Sequence, residues 1–285
     1  NTTASDNTAV GASALESNTT GSNLTAVGKS ALLGNTTGNN NTAVGKQAGT
    51  SITTGSSNTA VGKGSLASLT TSSANTAVGL DALAINTAAY NTAVGKDVLD
   101  ANTTGAANTG IGYNSLGANT TANNNTALGA YTLEDNTTGT ALVAVGAGAL
   151  KNNTTASNNV AVGLDALMTN STGAQNTAVG TEALKANTTA SNNTAMGYHA
   201  LNDNTTGTRN IAVGNYVLDS CTTGGSYNVG VGYACGDALT TAQNCVLIGD
   251  VAGDAITTSS NSTAVGASAL TTHATGSGNT AIGKS

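Results

Sequence analysis

The chain contains no proline, no tryptophan and no phenylalanine, and only 8% of its 285 residues are charged. Its core therefore cannot be built around large aromatic rings, and no turn relies on a ring-locked φ. Composition of this kind, with 37 glycines, is that of a low-complexity polar tract that stays disordered. A net charge of −6 without a basic stripe argues against a nucleic-acid partner. No apolar run approaches the ~20 residues of a membrane helix, so no membrane insertion is expected in this segment. The two histidines, His199 and His273, lie far apart, and neither has Ser, Asp or Cys at a catalytic spacing. No enzyme activity and no cofactor are expected. Cys221, Cys235 and Cys245 are odd in number and form no Cys-x-x-Cys pair, so they read as small core residues rather than a metal or redox site. A Cys221–Cys235 disulfide between adjacent repeats stays open.

What is present is one phrase, Asn-Thr-Ala-Val-Gly, repeated from one end to the other. Its glycine occurs seventeen times, as Gly11, Gly28, Gly45 and onward to Gly283. Successive glycines are 17 residues apart, except for 16 between Gly79 and Gly95 and 18 between Gly214 and Gly232. That period is too short for a two-helix repeat and falls in the range of β-solenoid coils. Disorder gives no reason to keep an aliphatic residue before every one of these glycines, as at Val10, Ile111, Leu128 and Met196. The expected fold is all-β, a parallel β-solenoid (β-roll) of about seventeen 17-residue coils, about 80 Å long at ~4.8 Å per coil. Residues 1–285 read as a single continuous array, a window of a longer chain because both ends fall inside a repeat.

Stacking the repeats on their glycine gives columns. The third residue before it is Thr, Val or Ile, the second is Ala except at Gly110, Gly230 and Leu247, and the fourth is Asn in thirteen coils. This is a short strand by propensity and alternation. Because Thr interchanges with Val and Ile, the face they share with the aliphatic column is assigned to the coil interior. The Ala column then faces outward, and a bare strip of Ala9, Ala26, Ala43, Ala161, Ala178 and their equivalents is expected at a chain–chain contact. Four residues after the glycine stands Leu, replaced by Gly49, Gly236 and Gly253; in those coils the residue three further on becomes Ile52, Leu239 or Ile256. The two columns share one core slot, since an unreplaced core Leu costs several kcal/mol. Between them a tight corner or a single 3₁₀-like turn is expected, followed by a second strand, Asn-Thr-Thr-Gly, whose stacked Asn side chains form amide ladders.

Of the 22 charged residues, 20 lie one, two, five or six residues after the glycine, with Asp6 and Arg209 outside. Tyr113, Tyr131, Tyr198, Tyr216 and Tyr233 occupy the first two of those columns. One edge of the solenoid is thus variable and wet, and these tyrosines are its candidate surface-binding residues. Other motifs fail their structural tests: Gly62-Lys63-Gly64 precedes no helix, and no coil has the Gly-Gly-x-Gly-x-Asp of calcium-binding β-rolls, so no metal is expected. Asn-Thr-Thr triplets such as those at Asn18 and Asn35 match the N-glycosylation acceptor but arise from the repeat itself.

The phrase Asn-Thr-Ala-Val-Gly resembles the Ser-Val-Ala-Ile-Gly phrase of head repeats in trimeric autotransporter adhesins. Longer stretches such as residues 176–189 are similar to repeats of tail-fibre-like proteins from phages and aquatic bacteria. The resemblance covers the whole chain, although the 17-residue period departs from the 14 to 15 residues of the adhesin heads. It implies a left-handed roll, association as a homotrimer or filament, and a non-catalytic structural or adhesive role in an extracellular fibre on a cell surface or virion. The implied partners are further copies of the chain and a cell-surface glycan or protein. The alternative is an ice-binding β-solenoid, with Thr8, Thr42, Thr59 and Thr76 in one file. Against it, only one Thr file per strand is expected, and adjacent Thr36 and Thr37 point to opposite sides.

Overall fold

A computed structural model describes residues 3–272 and 276–284. Each coil contributes one three-residue strand, from β1 (Thr8–Val10) to β17 (Thr280–Ile282), and no helix occurs among the described residues. The chain is an all-β parallel β-solenoid with two compact units, 1–141 and 142–285. In the first, β1 to β8 (Thr126–Leu128) pair in parallel with like columns opposite one another, as Thr42 opposite Thr59 and Ala43 opposite Ala60. In the second, β9 (Val143–Val145) to β17 do the same, Ala161 lying opposite Ala144 and Ala178.

The strand faces are the reverse of the sequence expectation. Ala26, Ala43, Ala161 and Ala178 have 0% exposure within the single chain. They line the interior and cannot form the expected chain–chain contact. Ala9 is exposed, but so are both its neighbours in β1. Thr and Val flank the buried Ala and point outward; β2 (Thr25–Val27) and β4 (Thr59–Val61) each have an intermediate, buried, intermediate pattern. The Thr-for-Val exchange therefore reports fitness for a half-exposed pleated surface, which β-branched residues have whether or not they carry a hydroxyl.

The interior is narrow, and its volumes trade between coils. Leu32, Leu66, Leu83 and Leu99 are fully buried. Ile52, Leu239 and Ile256 are buried as well, confirming the shared slot: a Cβ on Gly49 would lie 3.0 Å from Ile52 Cδ1 and 3.1 Å from Leu32 Cδ2. Leu247, the large residue in the Ala column, occupies the space that both Gly236 and Gly253 vacate, 2.5 and 2.6 Å from where their Cβ atoms would be. Gly110 and Gly230 face Val98 and Val217, whose methyls lie 2.6 and 2.5 Å from the missing Cβ positions. Only a methyl or less fits opposite a filled core slot, which is why the column is Ala.

The corner is a pair of tight turns, not a helical turn. Ala31 N–H donates to Gly28 O (3.3 Å) and Asn35 N–H to Leu32 O (3.1 Å). Ser30, third in the first turn, has φ 58°, as a type II turn requires. The repeat glycine is held at φ +133° in Gly28, and a Cβ there would lie 2.5 Å from Gly45 O of the next coil. Conformation and contact both exclude a side chain.

Among the described residues no second strand follows. Instead Thr36, Thr37 and Gly38 all donate their N–H groups to one carbonyl, Thr53 O, at 2.9, 3.2 and 3.3 Å, and Thr36 Oγ1 donates to it at 3.1 Å. The expected amide ladder is present at this segment. Asn119 Nδ2 donates to Asn102 Oδ1 (2.8 Å) and Asn136 Nδ2 to Asn119 Oδ1 (3.1 Å). A second ladder runs through the Asn that precedes most strands. Asn108 Oδ1 accepts from Asn125 N–H (3.0 Å), while Asn108 Nδ2 donates to Ala122 O (2.8 Å). Both ladders are buried, so their amides satisfy the turn backbone that water does not reach.

Candidate binding surfaces

Two surfaces carry chemistry. The first is the outward face of the strands, where Thr and an aliphatic residue stand on each side of the buried Ala. Several of its apolar members are well exposed, including Val44, Leu128, Met196, Ile211 and Ile248. Within each unit these exposed side chains stand among half-buried Thr and Val on the outward side of the strands, which makes that side a candidate interaction face.

The second is the corner after the repeat glycine. Its second residue is held at positive φ in Tyr131, Glu182, His199 and Tyr216, which turns these side chains out of the coil. Stacking then brings the candidate tyrosines into two clusters. Tyr113 and Tyr131 pair edge to face with centroids 5.2 Å apart, and Lys96 Nζ lies 5.3 Å from the Tyr113 centroid. Tyr198 meets Tyr216 at 5.2 Å, and Tyr216 meets Tyr233 at 6.1 Å, both edge to face. His199 stacks on Tyr198 at 4.2 Å.

Around the larger cluster runs a polar network. His199 Nε2 lies 3.0 Å from Glu182 Oε2, and Lys185 Nζ donates to Glu182 Oε1 at 2.9 Å. The Lys185 hydrogen bond holds the Glu182 carboxyl below its ordinary range and raises the Lys185 ammonium in turn. Asp219 Oδ2 lies 3.9 Å from His199 Nδ1. Burial pushes the Asp219 carboxyl up to about 6, opposed by His199 and reinforced by Asp203 and Asp237.

Sequence reasoning missed a second outward corner, two residues before each strand, also at positive φ. It holds Asp6, Tyr90, Arg209 and Tyr227, the charged and aromatic residues outside the main columns. There Arg209 Nη1 donates to Tyr227 Oη at 2.5 Å. Their shared spacing from the repeat glycine was the available signal.

The cysteines are all free and buried. Burial pushes the Cys221 thiol up to about 12 and that of Cys235 up to about 11, so neither is a reactive thiolate. Cys221 replaces a ladder Asn, and Asn204 Oδ1 beneath it is a buried acceptor without a partner. The sequon nitrogen of Asn35 is buried and donates to Asn18 Oδ1 (2.9 Å), leaving no accessible amide for a sugar. His273 lies outside the described residues. No protein-family model and no curated protein matches this chain.

Proposed function

We propose that this chain is a structural and adhesive element of an extracellular fibre, non-catalytic, self-associating through the outward Thr/aliphatic face of its strands. The observation that supports this reading is the exposed aliphatic file. Val44 is 36% exposed, Leu128 45% and Met196 44% in the single chain, an arrangement that association would relieve. The assembly would be a homotrimer or filament, as the resemblance to adhesin heads implies, with the contact moved from the Ala column to its two neighbours. Sedimentation of the purified chain tests it. An oligomer that Val44→Asp with Val61→Asp converts to a folded monomer supports the reading, and a folded wild-type monomer overturns it.

One observation favours the ice-binding alternative. In β1 to β8 every strand presents Thr and, two residues on, Val, Ile or Leu, with both files outward. The array repeats at about 4.8 Å between strands and about 6.6 Å along them, a lattice of hydroxyls and methyls. Thermal hysteresis that Thr59→Lys abolishes would favour this reading over the fibre; its absence would reject it.

A further inference from the structure

We propose that the second outward corner carries the N-glycosylation acceptors of the folded chain, at Asn23, Asn40, Asn124, Asn192 and Asn261. The inference goes beyond self-association and assigns the chain a covalent ligand, a sugar. Each of these residues opens an Asn-x-Thr triplet in a frame that the Asn-Thr-Thr segment does not use. Each is exposed and stands two residues before its strand, at φ between 57 and 64°. The backbone there is pinned by the preceding coil: Asn40 N–H donates to Ser22 O and Asn192 N–H to Ala174 O, both at 3.1 Å. The Thr that completes each triplet is the outward first residue of the strand. Thr126 is exposed, and Thr25, Thr42, Thr194 and Thr263 are half-buried. The residue between is turned inward, and Leu24, Asn41, Asn125, Asn193 and Ser262 are all buried. The carboxamide and the hydroxyl that define the acceptor thus stand on the surface, while the position that the motif leaves free is in the core.

The Asn-Thr-Thr triplets reverse this arrangement. Asn18 and Asn35 are buried, and Asn35 Nδ2 donates to Asn18 Oδ1 (2.9 Å) and Gly38 O (3.1 Å). A sugar on that nitrogen would break the ladder and open the coil, so folding selects between two sets of the same motif. Two further corners lack only the hydroxyl. Asn158 and Asn244 are exposed at φ 62 and 57°, but Val160 and Val246 stand where the others have Thr. In the transfer itself, the Asn Nδ2 attacks C1 of a sugar carried on a diphosphate. The N–C1 bond forms and the C1–O bond breaks; the diphosphate leaves with the electron pair, and the amide proton passes to a base of the transferase. A nucleoside diphosphate and a lipid diphosphate are equivalent leaving groups in this step.

The purified, folded chain is incubated in two arms. One holds a soluble N-glycosyltransferase with a nucleotide-diphosphate hexose, the other a membrane oligosaccharyltransferase with a lipid-diphosphate oligosaccharide. Peptide mass mapping reads each site, and the arm that reacts identifies the source of the sugar. The expected result is sugar on the five corner Asn residues in at least one arm, and none on Asn18, Asn35, Asn158 or Asn244. Thr194→Val should then abolish modification of Asn192, and Val160→Thr should bring Asn158 to the level of the five. Thr and Val already exchange in this column, so both variants should fold, as circular dichroism would verify. The proposal is overturned if the five corners stay bare in both arms, if Asn35 is modified as readily as Asn40, or if Val160→Thr leaves Asn158 bare. Sedimentation of the unmodified chain tests self-association by itself, and neither of its outcomes alters the peptide masses.

Discussion

Val98 Cγ1 lies 2.6 Å from the point a Cβ on residue 110 would occupy, so Gly110 is small because Val98, in the preceding coil, is large. Gly110→Ala should therefore destabilise the chain by about 1–3 kcal/mol through overpacking. Val98→Ala should lose stability alone yet rescue Gly110→Ala. A double-mutant cycle by chemical denaturation reads the coupling, and simple additivity would contradict the contact.

The same reasoning reverses what substitution of the Ala column does. Ala161→Asp places a carboxylate in the interior and should cost about 4 kcal/mol or more, unfolding the coils around it rather than dissociating an assembly. Val44→Asp, on the exposed side of its strand, should cost little in stability. Thermal melts of the two variants give the comparison.

At Cys221 the amide ladder of the Asn-Thr-Thr segment stops, leaving Asn204 Oδ1 unpartnered. The Cys221 thiol donates to Gly225 O at 3.6 Å, much as Asn204 Nδ2 donates to Gly207 O at 3.0 Å. Cys221→Asn should restore the rung and raise stability by about 1 kcal/mol, visible as a higher denaturation midpoint.

Gln47 has φ 61° at the corner position where Gly64 and Gly148 stand in other coils. An L side chain pays for that conformation, so Gln47→Gly should stabilise the chain by about 0.5–1 kcal/mol. A fall in melting temperature would show that the Gln side chain contributes more than its backbone strain.

Asp219 sets a pH dependence of definite sign. Its carboxyl is raised to about 6 in the folded chain from an ordinary 3.8. Below 3.8 both folded and unfolded forms hold the proton and the residue is neutral to stability. Between 3.8 and 6 the unfolded chain loses it first, so stability falls as pH rises, and the full penalty is present above 6. His199, Asp203 and Asp237 face this carboxyl and share in the effect. Asp219→Asn should raise the melting temperature at pH 7 and leave it nearly unchanged at pH 4. Equal gains at both pH values would contradict the assignment.

The period, the strand in each coil, the exchange of Leu for Gly49 with Ile52, and the variable corner were all legible in the sequence. Each is a one-dimensional spacing along the chain. The facing of the strand was not, because Thr-Ala-Val alternates equally well with either side inward. A signal did exist: Val98 with Gly110 and Val217 with Gly230 trade volume twelve and thirteen residues apart, which only residues sharing an interior would do. The second strand was misread because Asn-Thr-Thr has strand-like composition, whereas its three N–H groups converge on one carbonyl, as Thr36, Thr37 and Gly38 do on Thr53. The second outward corner was hidden because Tyr90, Arg209 and Tyr227 adopt positive φ without a glycine to mark it. The tyrosine columns were visible, but that Tyr198, Tyr216 and Tyr233 touch depended on which way the corner turns them.

The traded volumes also govern how such an array can grow or shrink. A coil is a natural unit of duplication and loss, since repeats contact only their neighbours. Yet a deletion that retains Val98 while bringing an Ala-bearing strand into the place of Gly110 joins two incompatible fillings, and so does one that separates Leu247 from Gly236 or Gly253. These coils can be exchanged without a packing clash only in linked groups, whereas a run such as Ala26, Ala43 and Ala60 can lose or gain members. The breakpoints that recombination can use are thus written inside the solenoid.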